Sequence, residues 1–141
     1  MRFSARAERE LLASRTDVWG FLEEPRHLAD WWPDVASVTP DRRGLASGAR
    51  WQLRRGAEPG LLRRANAESA LVVGDVDRPR RVTWHITAER LDVELELEAT
   101  APERTLARLT VTGPFVLGFR RTLPRTALAR LHSLIQTAAS L

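Results

Sequence analysis

The chain has 141 residues, 43% of them hydrophobic and 28% charged, the proportions of one globular domain with room for a sizeable core. Cysteine is absent, which excludes disulfides, thiolate nucleophiles and thiolate metal sites. The formal net charge is only +4, and all 22 basic residues are arginine, dispersed among 18 acids, a pattern that speaks for a solvated surface and against a nucleic-acid stripe.

The opening stretch MRFSARAERELLA carries charges throughout and has no apolar run ending at a cleavage site, so it is not read as a signal peptide. No stretch reads as a membrane span, and a cytoplasmic location is the expectation. Residues 2–13 alternate as a strand, with Phe3, Ala5, Ala7, Arg9 and Leu11 on one face. SRTDVWGFLEE follows as a short helix with Ser14 as N-cap, Asp17 at the capping-box position, and Val18, Phe21 and Leu22 as its buried stripe. Pro25 ends that helix or opens the next. RHLADWW then makes about two turns, which Pro33 stops, because the residue before a proline disfavours helix.

From Val35 the period changes to two. VASVTP is a strand, Pro40, Gly44 and Gly48 punctuate a loop, and ARWQLRR is a strand with Trp51 and Leu53 inward. Residues 61–73 read as a longer strand and GDVDRPR as a turn. RVTWHIT puts Val82, Trp84 and Ile86 on one face. LDVELELEAT sets Leu91, Val93, Leu95 and Leu97 against Asp92, Glu94, Glu96 and Glu98, and TLARLTVT repeats the alternation. Over residues 125–140, Leu128, Leu131, Leu134, Ile135 and Ala138 recur at helical spacing. Upstream, GPFVLGFRRTL can continue the helix from Pro114, and Pro124 must then kink or break it.

The order β-α-α-β-β-β-β-β-β-α gives an α+β domain spanning residues 1–141, a curved seven-stranded antiparallel sheet around a long C-terminal helix. A curved sheet and a straight helix leave a gap between them, which is a natural pocket. The stretch ASRTDVWGFLEEPRHLADWWPDVASV, together with GARWQLR, PRRVTWHI and the final amphipathic helix, resembles the START-like, polyketide cyclase/dehydrase superfamily over nearly the whole chain. The resemblance implies the helix-grip fold. It does not specify activity, since members bind lipids, sterols or polyketides, assist chaperones, or are enzymes.

Candidate site residues follow from the faces. Trp32 lies four residues after Leu28 and is expected inward as a packing anchor. Trp31, four after His27, is expected to turn toward the flank at the pocket entrance, where it locks the helices or meets a ligand. Trp51 and Trp84 line the pocket or fill the core, and Phe115 and Phe119 flank its far end. Arg9 shares the parity of Leu11. If inward, it must pair with an acid, reach the pocket mouth or bind an anionic ligand group, and a bulge or frayed edge would instead turn it to solvent. Ser69 is a second inward polar residue. Of the three histidines, His85 is expected outward, His132 sits at the border of the helix stripe, and His27 lies near the pocket mouth. No metal-ligand spacing occurs and no cofactor is implied. The acid row on the sixth strand reads as a wet sheet face answered by arginines.

Three functions remain open. The first is binding of a hydrophobic or amphipathic small molecule, with Trp31, Trp51 and Trp84 in contact and Arg9 or His27 at its polar end. The second is a cyclase, aromatase or dehydratase using His27 and Arg9. Cyclases of the resembled family are held to use arginine, tyrosine, serine and histidine in the pocket, and this chain has no tyrosine. The third is a partner-binding module. Monomer and homodimer are both compatible with the sequence.

Overall fold

Alternation of apolar and polar side chains builds seven strands, and two kinds of helix close their inner face. The computed structural model describes residues 2–55, 68–114 and 121–139. The strands are β1 (Arg2–Leu11), β2 (Val35–Thr39), β3 (Arg50–Arg55), β4 (Glu68–Asp77), β5 (Arg81–Ile86), β6 (Leu91–Ala101) and β7 (Arg104–Pro114). They form one antiparallel sheet in the order β1-β7-β6-β5-β4-β3-β2, a meander from β2 to β7 with β1 returned to the far edge. The helices are α1 (Arg15–Leu22), a 3₁₀ turn (Pro25–His27) running into α2 (Leu28–Trp31), and the long α3 (Leu123–Ala139). This is the helix-grip architecture.

The inner face carries the core. Trp51, Leu71, Val73, Val82, Trp84, Val93, Leu95, Leu109 and Val111 are all buried there, with Leu128, Leu131 and Ile135 of α3 packed into the same cluster. α3 lies against β1, β7 and α2, and α1 against β6 and β7. Ser14 caps α1 by accepting from the Asp17 N–H at 3.1 Å, as the spacing predicts. Trp19, absent from the expected stripe, is among the largest fully buried side chains.

Three boundaries differ from the sequence reading. β7 runs through Pro114, which pairs with Arg2, so no helix starts there. Pro124 is buried in the first turn of α3 and kinks nothing, since a first-turn proline forfeits no helical hydrogen bond. Residues 61–67 lie outside the described residues, and β4 continues past Val73 to Asp77, where a turn was expected. Its register against β5 shifts between Val73 and Val76. Thr83 holds that irregularity: its Oγ1 accepts the Asp75 N–H at 2.8 Å, and Gly74 leaves room, because a Cβ there would stand 2.5 Å from the same oxygen.

Trp31 and Trp32 are both buried, at 2% and 3% exposure, so Trp31 does not turn to the flank. The helix ends at Trp31 and Trp32 is already extended, with φ −82° and ψ 124°. The two rings diverge because the chain leaves the helix between them, and helical spacing no longer governs Trp32.

Candidate functional site

A cavity of about 20 Å³ lies between the inner face of the sheet and the short helices. Its wall consists of Leu22 from α1, Leu28 and Trp31 from α2, Leu45 from the β2–β3 connection, Trp51 from β3, Leu71 from β4, Val82 and Trp84 from β5, and Leu95 from β6. Strand parity aims the five sheet residues inward, and α2 delivers Trp31 from the opposite side. Among the described residues every lining side chain is leucine, valine or tryptophan.

Three indoles form a mutually edge-to-face cluster. Trp31 and Trp32 have centroids 5.4 Å apart at 87°, Trp31 and Trp84 6.2 Å at 88°, and Trp32 and Trp84 5.7 Å at 73°. These are the geometries that place the positive edge of one ring on the negative face of another. The indole donors differ. Trp51 Nε1 donates to the Gly44 carbonyl at 3.0 Å. Trp84 Nε1 is buried with no hydrogen-bond partner, which ordinarily costs about 1–3 kcal/mol.

Leu45 is the lining residue on an irregular segment, and it is half-buried. Its loop is held from below as well as by Trp51. Asp41 accepts the Arg43 N–H at 2.9 Å on one oxygen and the Arg50 N–H at 2.7 Å on the other. Those two bonds, the one from Arg50 the stronger, hold the Asp41 carboxyl below its ordinary value of 3.8. Arg43 Nη1 donates to the Gly48 carbonyl at 3.0 Å, and Gly44 and Gly48 take φ values of 64° and 86°, which disfavour any side chain.

The sequence matches the family described as polyketide cyclase / dehydrase and lipid transport over residues 2–138. The chain belongs to this family. Solved structures agree on the fold. A norcoclaurine synthase from Thalictrum flavum, a point mutant in complex with a transition state analogue, superposes with a TM-score of 0.72 at 16% identity, covering 99% of this chain and 97% of that one. A conserved protein of unknown function from Enterococcus faecalis gives 0.70 at 19% identity, over 97% and 73% of the two chains. No curated protein matches the sequence.

Against this polyketide cyclase/dehydrase and lipid transport fold, the residues singled out from sequence separate into two groups. Trp31, Trp51 and Trp84 meet around the cavity. Arg9, His27 and Ser69 do not line it. Arg9 has the inner-face parity of Ala7 and Leu11 yet is exposed, because it stands on the edge strand. His27 Nδ1 is 2.7 Å from the Phe21 carbonyl, and its ring stacks on Phe21 at 4.1 Å. A carbonyl only accepts, so Nδ1 carries the proton and the imidazole fastens the 3₁₀ turn to the end of α1. Ser69 is buried, and its hydroxyl accepts the Ala88 N–H at 3.1 Å. Phe115 and Phe119 lie outside the described residues.

The outer face of this family member is polar. Arg81 Nη2 meets Glu94 Oε2 at 2.6 Å and Arg108 Nη2 meets Glu98 Oε2 at 2.8 Å. The hydrogen bonds these guanidinium groups donate to Glu94 and Glu98 raise both of their pKa values further. Asp92 pairs with Arg2 and with His85 Nδ1, at 2.8 Å from the latter. Among the described residues no three potential metal ligands gather, and no helix is long and apolar enough to cross a membrane. Leu22, Leu28, Leu45, Leu71, Val82 and Leu95 complete the wall but were not singled out. Parity marks the strand members as inward, and nothing in the sequence signals that Leu45 folds back over them.

Proposed function

We propose that this protein holds a small apolar or amphipathic molecule between the inner face of the sheet and helices α1 and α2, in contact with Trp31, Trp51 and Trp84. The observation that carries the reading is the composition of the cavity wall, which among the described residues is nine apolar side chains, three of them tryptophan. Membership of a family described by polyketide cyclase / dehydrase and lipid transport supports it. Among the described residues the wall includes no acid or base, and this favours binding over catalysis.

The space of about 20 Å³ suffices for one water, whereas ordinary ligand pockets measure about 300–1,000 Å³. An occupant must therefore part the wall. Leu45 is the member free to move without breaking a strand or helix. The test is a titration with uncharged aromatic and aliphatic molecules, followed by intrinsic tryptophan emission and by melting temperature. Binding to the native state raises stability by about 2.7 kcal/mol at one hundred times Kd. A shift in emission together with a rise in Tm supports the reading. Unchanged emission and Tm across the set overturn it.

A further inference from the structure

Trp84 is 6% exposed and is part of the cavity wall, and its Nε1 is buried with no hydrogen-bond partner. Tryptophan is a donor only, so nothing but an acceptor satisfies it. Of the other two indoles in the described wall, Trp51 Nε1 is already committed to Gly44, and Trp31 Nε1 is not among the buried atoms left without a partner. A water in the cavity would meet the leucine, valine and indole side chains of the described wall, whereas buried waters ordinarily make about three hydrogen bonds. Such a water is poorly held, and a ligand gains by displacing it.

Charge narrows the ligand further. No arginine or histidine among the described residues lines the wall, so a carboxylate or phosphate driven against these residues would lose its hydration with no counter-charge from them to replace it. A hydrocarbon would enter but leave Nε1 as it was. We infer that Trp84 Nε1 is the hydrogen-bond donor of the ligand site, and that the site selects uncharged molecules bearing an acceptor oxygen, a ketone, aldehyde, ester or ether, on an apolar body. This rests on the cavity reading above.

Three probes of one shape separate the possibilities: acetophenone, its hydrocarbon counterpart α-methylstyrene, and benzoate at neutral pH. Each is titrated into the full chain while the indole N–H signals are followed by proton–nitrogen NMR, with Trp84 assigned by NOE and by its loss in Trp84→Phe. Acetophenone is expected to bind about fivefold to tenfold more tightly than α-methylstyrene, the usual return on one hydrogen bond. It is also expected to move the Trp84 indole proton downfield, while benzoate binds weakest. In Trp84→Phe the ketone loses its advantage over α-methylstyrene, whatever the smaller ring does to the affinity of both. Equal affinity for ketone and hydrocarbon, a Trp84 signal that stays in place, or preference for benzoate overturns the inference while leaving a ligand-binding cavity standing. Binding of none of the three overturns the cavity reading with it. Should Trp84→Phe fail to fold, the ketone-to-hydrocarbon ratio and the Trp84 shift in the native chain still decide.

Discussion

Trp51 Nε1 donates to the Gly44 carbonyl at 3.0 Å, and this bond joins the sheet wall of the cavity to the loop that covers it. Trp51 is 3% exposed, so the bond is made away from water. Trp51→Phe keeps an aromatic ring and deletes the donor, leaving the Gly44 carbonyl short of a partner. The expected loss is about 1–3 kcal/mol, combining the unsatisfied carbonyl with the smaller ring. Faster amide exchange is expected across residues 43–49 and unchanged protection in β6 and β7. Hydrogen exchange read residue by residue checks both, and uniform acceleration over the whole sheet would show that Trp51 acts as general core and not as a tether.

Asp41 fastens the same loop from its other end, and its effect depends on pH. Its carboxyl is held below 3.8 by the Arg50 and Arg43 N–H groups. A group with a depressed folded-state pKa stabilises the protein fully above its unfolded value, and the contribution is lost as pH falls through the folded value. Asp41→Asn retains one acceptor oxygen where two N–H groups must be satisfied. At neutral pH the variant is expected to melt below the native chain. The gap should hold down to about pH 4 and narrow below it, as the native carboxylate itself becomes protonated. Melting curves at a series of pH values test the sign; a gap that widens in acid contradicts the assignment.

The irregularity in β4 makes a third claim. A Cβ at Gly74 would lie 2.5 Å from Thr83 Oγ1, the same oxygen that accepts the Asp75 N–H. Gly74→Ala is expected to cost about 1–3 kcal/mol through this clash. Thr83→Ala removes the oxygen and relieves it, at the expense of the Asp75 bond. The double variant should therefore be more stable than the sum of the two single losses, by about 0.5–3 kcal/mol. Simple additivity in a denaturant cycle would mean that the two sites do not meet.

Much of this was legible from the sequence, and the exceptions have physical causes. The sheet order follows from alternation and short connections, since LDVELELEAT and TLARLTVT have one register that keeps their leucines together. The cap at Ser14 is local chemistry and reads directly. Helical spacing put Trp32 inward, where it is, but sent Trp31 to the flank, because it assumes a helix that has already ended at Trp32. Strand parity placed Arg9 on the inner face but does not report that β1 is an edge, where a long side chain reaches water. His27 and Ser69 looked available for chemistry, yet each is tied to a backbone partner outside its own element, Phe21 and Ala88, that pattern does not reveal. Leu45 and the orphaned Trp84 Nε1 are wholly tertiary. One depends on where a loop folds back, the other on which acceptors are missing around a ring.

Leu45 and Leu95 line the same cavity, but a truncation at each has different consequences. Leu95 is 1% exposed on a central strand flanked by β5 and β7, so Leu95→Ala leaves a hole that the ladder prevents from collapsing, at a cost of about 2–5 kcal/mol. Leu45 is half-buried on a loop fixed by Trp51 and Asp41 at its ends. Removing its side chain therefore takes less apolar surface out of the core, and the loss is expected to stay below that of Leu95→Ala. The functional effect runs the other way. Leu45→Ala both enlarges the cavity and removes the obstacle that an entering molecule must push aside, so acetophenone should associate faster and bind at least as tightly. Leu95→Ala enlarges the cavity from the closed side and leaves the obstacle in place, so affinity rises without the same gain in association rate. Stopped-flow tryptophan emission with the two variants separates size from access. Equal association rates in both would remove Leu45 as the moving wall.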